Sequence, residues 1–212
     1  MSEQVVIHPG VELGKNVEIG DYVVIGLPYK GMPAGTRTVI GDNAVIRSHT
    51  VIYAGNDIGA NFQAGHGALI RECNEIGDNV SIGSHTVVEH HVRIANGVRI
   101  HTQAFVPEYS HLDEEAWIGP NVVFTNARYP RSPNVKDELS GPKIGRRAKI
   151  GANSTLLPGV VIGRDALVGA GSVVVKDVPE RLVVVGNPAK PIKTITDLPY
   201  PETEDADARA VR

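Results

Sequence analysis

At 212 residues with 42% hydrophobic and only 5% aromatic content, the chain fits a single domain with a thin aliphatic interior. A net charge of −3 gives no sign of a nucleic-acid partner, and no apolar N-terminal run reads as a signal peptide or membrane span. Cys73 is the single cysteine, so an intrachain disulfide is excluded, and a reducing, cytoplasmic compartment is expected.

From the N-terminus an aliphatic residue returns every sixth position: Ile7, Leu13, Ile19 and Ile25, then from Ile40 to Phe124 without a slip, then from Ile144 to Val174. Of the 25 hexads so defined, 23 begin with Ile, Leu or Val, so the register is fixed along nearly the whole chain. A period of six is neither helical nor a plain strand alternation. It marks a solenoid in which each hexad is one short strand plus a corner. Three hexads make a triangular coil of eighteen residues, giving about eight coils. Small or β-branched residues at the fifth position (Ala44, Thr50, Thr86, Ala104) fit where the chain turns inward. Gly, Asp and Asn at 41–43, 59–61, 77–79 and 151–153 supply turn chemistry.

The beat breaks twice. Between Ile25 and Ile40 lie nine extra residues, within 27–38, and between Phe124 and Ile144 fourteen more, at 130–143. Loops expelled from a regular solenoid tend to carry function. The expected organisation is one β-helix over residues 1–195 and an acidic, flexible tail over 196–212. Hexads beginning at 46, 64, 82 and 100 are eighteen residues apart and each holds a histidine: His49, His66, His85 and His101. These four are expected along one edge, pointing outward, with His90 and His91 on the next face.

The spacing resembles the hexapeptide-repeat, left-handed β-helix family, and the expected hand comes from that resemblance. Trp117, Ile118, Gly119 and Pro120, leading through Phe124, Thr125 and Asn126 to Tyr129, Pro130 and Arg131, resemble a stretch of nucleotide-sugar N-acetyltransferases. Where that family often has Asn-Asp, this chain has Asn126 and Ala127. The coil containing Gly151, Ala152, Leu157, Pro158 and Gly159 resembles the family's acyl-CoA-binding coils, and Gly186, Asn187, Pro188 and Ala189 its C-terminal signature.

The resemblance implies acetyl transfer from acetyl-CoA to the amine of an amino-deoxy sugar carried on UDP or dTDP, with no metal. It also implies a homotrimer with active sites between subunits. Transfer needs a neutral amine, a polarised thioester and alignment of the two. His101 is therefore expected as the base, Glu108 as the group that orients the amine, and Asn126 as a contact to sugar or thioester. Tyr129 and Arg131 are expected to hold the nucleotide, with His66 and His85 lining the substrate. Gly151, Ala152, Ala170 and Lys190 are expected along acetyl-CoA.

A reading from another reaction class is a zinc hydratase. His49, His85 and His90, separated by 36 and 5 residues, resemble the ligand spacing of γ-class carbonic anhydrases, which share the fold. Ser84 and Glu89 stand where that family's ligand pair usually lies. A non-catalytic β-helix scaffold is the third reading.

Overall fold

The computed structural model describes residues 4–198 as a left-handed parallel β-helix, the architecture expected from the hexads. Short strands wind into three sheets, one on each face of a triangular prism. Sheet A has nine strands, from Val6–Ile7 to Val173–Val174. Sheet B has eight, from Val11–Leu13 to Val161–Ile162. Sheet C has ten, from Glu18–Ile19 to the hairpin of Leu182–Val185 and Lys190–Thr194, whose last strand alone is antiparallel. In the unbroken stretch each strand pairs with the one eighteen residues on, as Leu69 with Val87 and Ile70 with Val88. The stack is longer than the expected eight coils. Beyond Val174, Val178 bridges to Ile162, and Leu182–Val185 lies parallel to Leu167–Val168.

The hexad grammar has a direct physical reading. From Ile25 on, the first residue of each hexad is buried, fully so at Ile40, Ile52, Ile70, Val88, Val106 and Leu112, whereas Ile7 and Leu13 in the opening coil are exposed. Each buried side chain contributes roughly 1.5–3 kcal/mol relative to exposure. The fourth residue takes a left-handed backbone, with φ of 59° at Asn43, 57° at Asn61 and 57° at Asn79. That conformation costs an ordinary L-residue about 1–2 kcal/mol and suits Asn and Gly best. The amides of Asn16, Asn43, Asn61 and Asn79 hydrogen-bond in a line up one corner.

The outward strand residues distinguish the faces. On sheet A they are Val6, Val24, Val51, Leu69, Val87, Phe105, Val123, Thr155 and Val173, an apolar stripe broken only by Thr155. On sheet B the same row runs through Asp57, Glu75, Arg93, His111 and Lys143. Both insertions leave from the A–B edge, the first between Val24–Leu27 and Thr38–Ile40, the second between Val123–Phe124 and Lys143–Ile144. Of the expected tail, Ile195–Asp197 forms a single 3₁₀ turn, and residues 199–212 lie outside the described residues. No helix of the described residues is long and apolar enough to cross a membrane.

Candidate active site

Between the two insertions the A–B edge carries a ladder of polar side chains, each eighteen residues from the next. The Arg71 guanidinium lies over the Tyr53 ring, 5.0 Å from its centre. It donates to both oxygens of Glu72, at 2.8 and 3.0 Å, and to Glu89 at 3.2 Å. Burial is the largest influence and would raise the Glu72 carboxyl, but the Arg71 hydrogen bonds, a backbone hydrogen bond and the Arg71 and His90 charges together outweigh it and hold Glu72 below the usual range. Glu89 goes the other way. Burial raises it, and the single contact to Arg71 does not compensate.

One coil above, His90 Nε2 stands 3.6 Å from Glu108 Oε1. The Asn126 amide donates to the other oxygen, Oε2, at 2.6 Å. Both oxygens of Glu108 are thus addressed, one by an imidazole and one by an amide. Asn126 also forms the neck of the second insertion, because its carbonyl accepts from Ser140 N at 2.9 Å. Beside it a groove of about 370 Å³ is lined by Arg128, Tyr129, Glu138, Ser140, Pro158 and Gly159. Tyr129 lines the groove, and Arg131 is exposed on the same loop. A half-buried carboxylate with a fixed orientation, under a loop and next to a groove, is suited to receive an amine.

Within one chain His101 stands apart from Glu108 and Asn126. Sequence proximity grouped it with Glu108 and Asn126, but a seven-residue separation in an eighteen-residue coil crosses a whole face. His101 follows the sheet C strand Arg99–Ile100 and lies on the C–A edge, whereas Glu108 follows the sheet A strand Phe105–Val106. His101 packs against Trp117 with ring centres 4.7 Å apart, and its Nε2 is buried without a hydrogen-bond partner. Burial, and then the charge of Arg99, pushes its pKa below the usual imidazole value. The residue that shares Glu108's column is His90, which the sequence suggested only as a metal ligand. The signal was present: 90, 108 and 126 differ by eighteen, the coil period.

The other histidines of the C–A edge fall where the period puts them. His66 Nδ1 is 2.8 Å from Ser48 Oγ, and His66 N donates to Ser84 Oγ. His49 stacks on Tyr22 at 4.8 Å. His85 is exposed above Gly67. A groove of about 280 Å³ joins His66 and His101 and also touches Arg47 and Arg99. As a metal set, His49 and His85 share this edge two coils apart, while His90 is on the A–B edge, so one chain does not gather the three.

Of the residues expected along acetyl-CoA, Gly151 faces the next coil rather than solvent. A Cβ there would fall 2.4 Å from Ala170 N, so coil stacking itself requires glycine. Ala152 is half-buried and Ala170 and Lys190 are exposed on the same upper part of the prism. Burial, and then the Glu72 charge, raises the Cys73 thiol, which leaves it protonated and a poor nucleophile.

Residues 141–176 match the family model for the bacterial transferase hexapeptide, six repeats. That stretch carries the hexapeptide-repeat pattern. It is 41% identical over 117 residues to the protein CapG of Staphylococcus aureus, a match covering 55% of this chain and 57% of CapG. A candidate acetyltransferase of Saccharomyces cerevisiae is 34% identical over 87 residues, covering 38% of this chain and 43% of the yeast protein. The chain thus spans about half the length of the curated relatives it matches. Among solved structures, the UDP-N-acetylglucosamine acyltransferase LpxA of Bacteroides fragilis superposes with a TM-score of 0.50 at 20% identity, over 92% of this chain and 74% of LpxA, a likeness of fold.

Proposed function

We propose that this hexapeptide-repeat chain transfers an acetyl group from acetyl-CoA to the amine of a nucleotide-linked amino-deoxy sugar. The observation that carries the reading is the Glu108–Asn126 pair at the neck of the second insertion, beside the groove lined by Tyr129. The likeness to a candidate acetyltransferase and the resemblance of residues 117–131 to nucleotide-sugar enzymes support it. Glu108 accepts a hydrogen bond from the substrate amine and aligns it, Asn126 holds Glu108 and the sugar, and Tyr129 and Arg131 hold the nucleotide. The test is thiol release from acetyl-CoA across UDP- and dTDP-linked amino sugars, with the matching hydroxyl sugars as controls. Release that depends on the amine is expected. Equal release with the hydroxyl sugars, or none with any sugar, overturns the reading.

The reading includes a homotrimer packed through sheet A, whose apolar outward stripe is flanked by the A–B edge on one side and the C–A edge on the other. A threefold rotation about an axis parallel to the prism preserves height. His101 and Glu108 belong to the same coil, so such a rotation sets one chain's C–A edge, with His66, His85 and His101, across from the next chain's Glu108. Phe105→Glu would put a charge at the centre of the stripe. A trimer mass for the parent and a monomer mass for this variant by light scattering are the expected results.

A further inference from the structure

We propose that His90, held in one tautomer by His91, is the group that takes the amine proton in this transfer, an inference that rests on the reading above. Three contacts carry it. His90 Nδ1 lies 2.8 Å from His91 Nδ1. His90 Nε2 lies 3.6 Å from Glu108 Oε1. Glu108 Oε2 is already occupied by the Asn126 amide.

Two ring nitrogens at 2.8 Å share one hydrogen, and its position decides what His90 presents to Glu108. If the hydrogen sits on His91, His90 Nδ1 is an acceptor and Nε2 carries the other proton. If it sits on His90, Nε2 is bare and faces the carboxylate across a gap longer than a hydrogen bond. An ammonium placed there donates to Glu108 with one N–H and to His90 Nε2 with another. The second tautomer is the competent one.

His91 has φ of 56° and Tyr109 62°, both at the fourth hexad position, whose left-handed backbone recurs at the other corners, as at His49, Cys73 and Gln103. Tyr109 packs edge-on against His90 at 6.1 Å and tilted against His91 at 5.8 Å, so it holds both rings. The charged groups facing the pair are Glu72 and Glu89 below, with Arg71 between them, and Glu108 above. His91 is exposed.

The proton count closes. The bound ammonium gives one proton to His90 Nε2. The neutral amine attacks the thioester carbonyl, the C–N bond forms and the C–S bond breaks. The second amine proton goes to the departing sulfur, leaving an amide and CoA thiol. His90, now an imidazolium between Glu108 and His91, returns its proton to water when the product leaves.

Asn and Asp at position 91 separate this role from a packing role, because they are nearly isosteric and both tolerate a left-handed backbone. In His91→Asn the amide can donate to His90 Nδ1 or, turned over, accept from it, so nothing at 91 opposes the Nε2–H tautomer that the Glu108 carboxylate favours. In His91→Asp the carboxylate accepts from His90 Nδ1–H and fixes the competent one. Asp also favours the imidazolium, so the acidic limb of kcat moves to higher pH. His90→Gln is expected to lower kcat by about 10²–10⁴ with acetyl-CoA KM unchanged. His91→Asn is expected to lose at least tenfold in kcat, and His91→Asp to recover most of that loss with its acidic limb displaced. Nitrogen NMR of the His90 ring in the resting protein is expected to show Nδ1 bare in the Asn variant and protonated in the Asp variant. Equal turnover and equal His90 nitrogen shifts in the two variants overturn the tautomer role. Full turnover in His90→Gln overturns the proton acceptor while the transfer reading stands. A parent protein that acetylates no amine overturns the transfer reading itself.

Discussion

The two long edges that flank sheet A are built from the same hexads, yet they carry different chemistry. The C–A edge is uninterrupted and lined by histidines that mostly contact neighbours of their own edge: His66 with Ser48, His49 with Tyr22, His101 with Trp117. The A–B edge is opened twice by insertions, and between them its contacts bring carboxylates to a guanidinium, an imidazole and an amide: Arg71 to Glu89, His90 to Glu108, Asn126 to Glu108. A regular corner gives each side chain a neighbour of fixed spacing. An opened corner adds loop residues beside that column, and a groove forms. The count of histidines pointed to the first edge, and the contacts point to the second.

The largest test of that contrast is on turnover. Glu108→Ala removes the carboxylate that receives the amine and frees Asn126. It is expected to cost about 10²–10⁴ in kcat, and Asn126→Ala at least tenfold. His85→Ala, on the other edge, is expected to raise KM for the sugar a few-fold and leave kcat within about threefold. If His85→Ala abolishes turnover and Glu108→Ala does not, the chemistry belongs to the C–A edge.

Mixing experiments sharpen the comparison further. If the two edges of neighbouring chains enclose one site that needs both, His101→Ala and Glu108→Ala each lower turnover alone, and the two variants refolded together regain activity, because some interfaces then pair one intact edge with the other. Absence of recovery, with trimers formed, confines the chemistry to one chain's A–B edge. This pairing also decides whether His101 contributes at all, since within its own chain its Nε2 is buried against Trp117.

The fold was legible because one rule repeats. Ile40, Ile46 and Ile52 announce a period, and every later first position obeys it down to the buried Val174. The site was legible only in part, because adjacency in a solenoid is set by multiples of eighteen, not by nearness along the chain. His101 is seven residues from Glu108 and on another edge, while His90 is eighteen away and 3.6 Å off. Glu108 and Asn126 obey the period and meet in the 2.6 Å hydrogen bond. The neck formed by Asn126 and Ser140 has no periodic signal, since an insertion follows its own local turns. The inward polar ladder of the A–B corner has no signal in the aliphatic beat either, because Asn56 and Asn74 stand at the fifth position, where small or β-branched residues are the rule.

That inward ladder supplies a stability test of the same contrast. Asn74 is buried, accepts from Val92 N at 2.7 Å and donates to the Arg71 carbonyl at 2.8 Å. Thr86, at the equivalent position of the C–A corner, donates to the His101 carbonyl at 2.9 Å and accepts from Ala104 N at 3.3 Å. Asn74→Ala leaves a buried backbone N–H unpaired and is expected to cost about 2–3 kcal/mol. Thr86→Val keeps the shape and loses a longer, weaker bond at its acceptor side, so about 1–2 kcal/mol is expected. Chemical denaturation of both variants measures the difference, and a larger loss at Thr86 would reverse the order of the two corners.

The smallest expected effect concerns Glu89, and its sign is informative. Burial raises its folded-state pKa, helped by the nearby Glu108 and Glu72 charges and opposed by Arg71 and His90. A carboxyl whose pKa rises on folding is less stable ionised in the native state than in the unfolded chain. Its ionised form therefore detracts from stability above the folded pKa, and the penalty disappears as pH falls below the unfolded value of about 4.3. Glu72 has the opposite sign: lowered by Arg71, it stabilises above the unfolded pKa and loses that contribution as pH falls through its folded value. Glu89→Gln is thus expected to gain less than about 1 kcal/mol at pH 7 and nothing at pH 3. Glu72→Gln is expected to lose stability at pH 7 and to approach the parent in acid. Thermal melts of the two variants across this range give crossing differences if Arg71 serves Glu72 first. Parallel losses for both would mean that Arg71 holds the two carboxylates equally, and that Glu89 supports the ladder on which His90 stands.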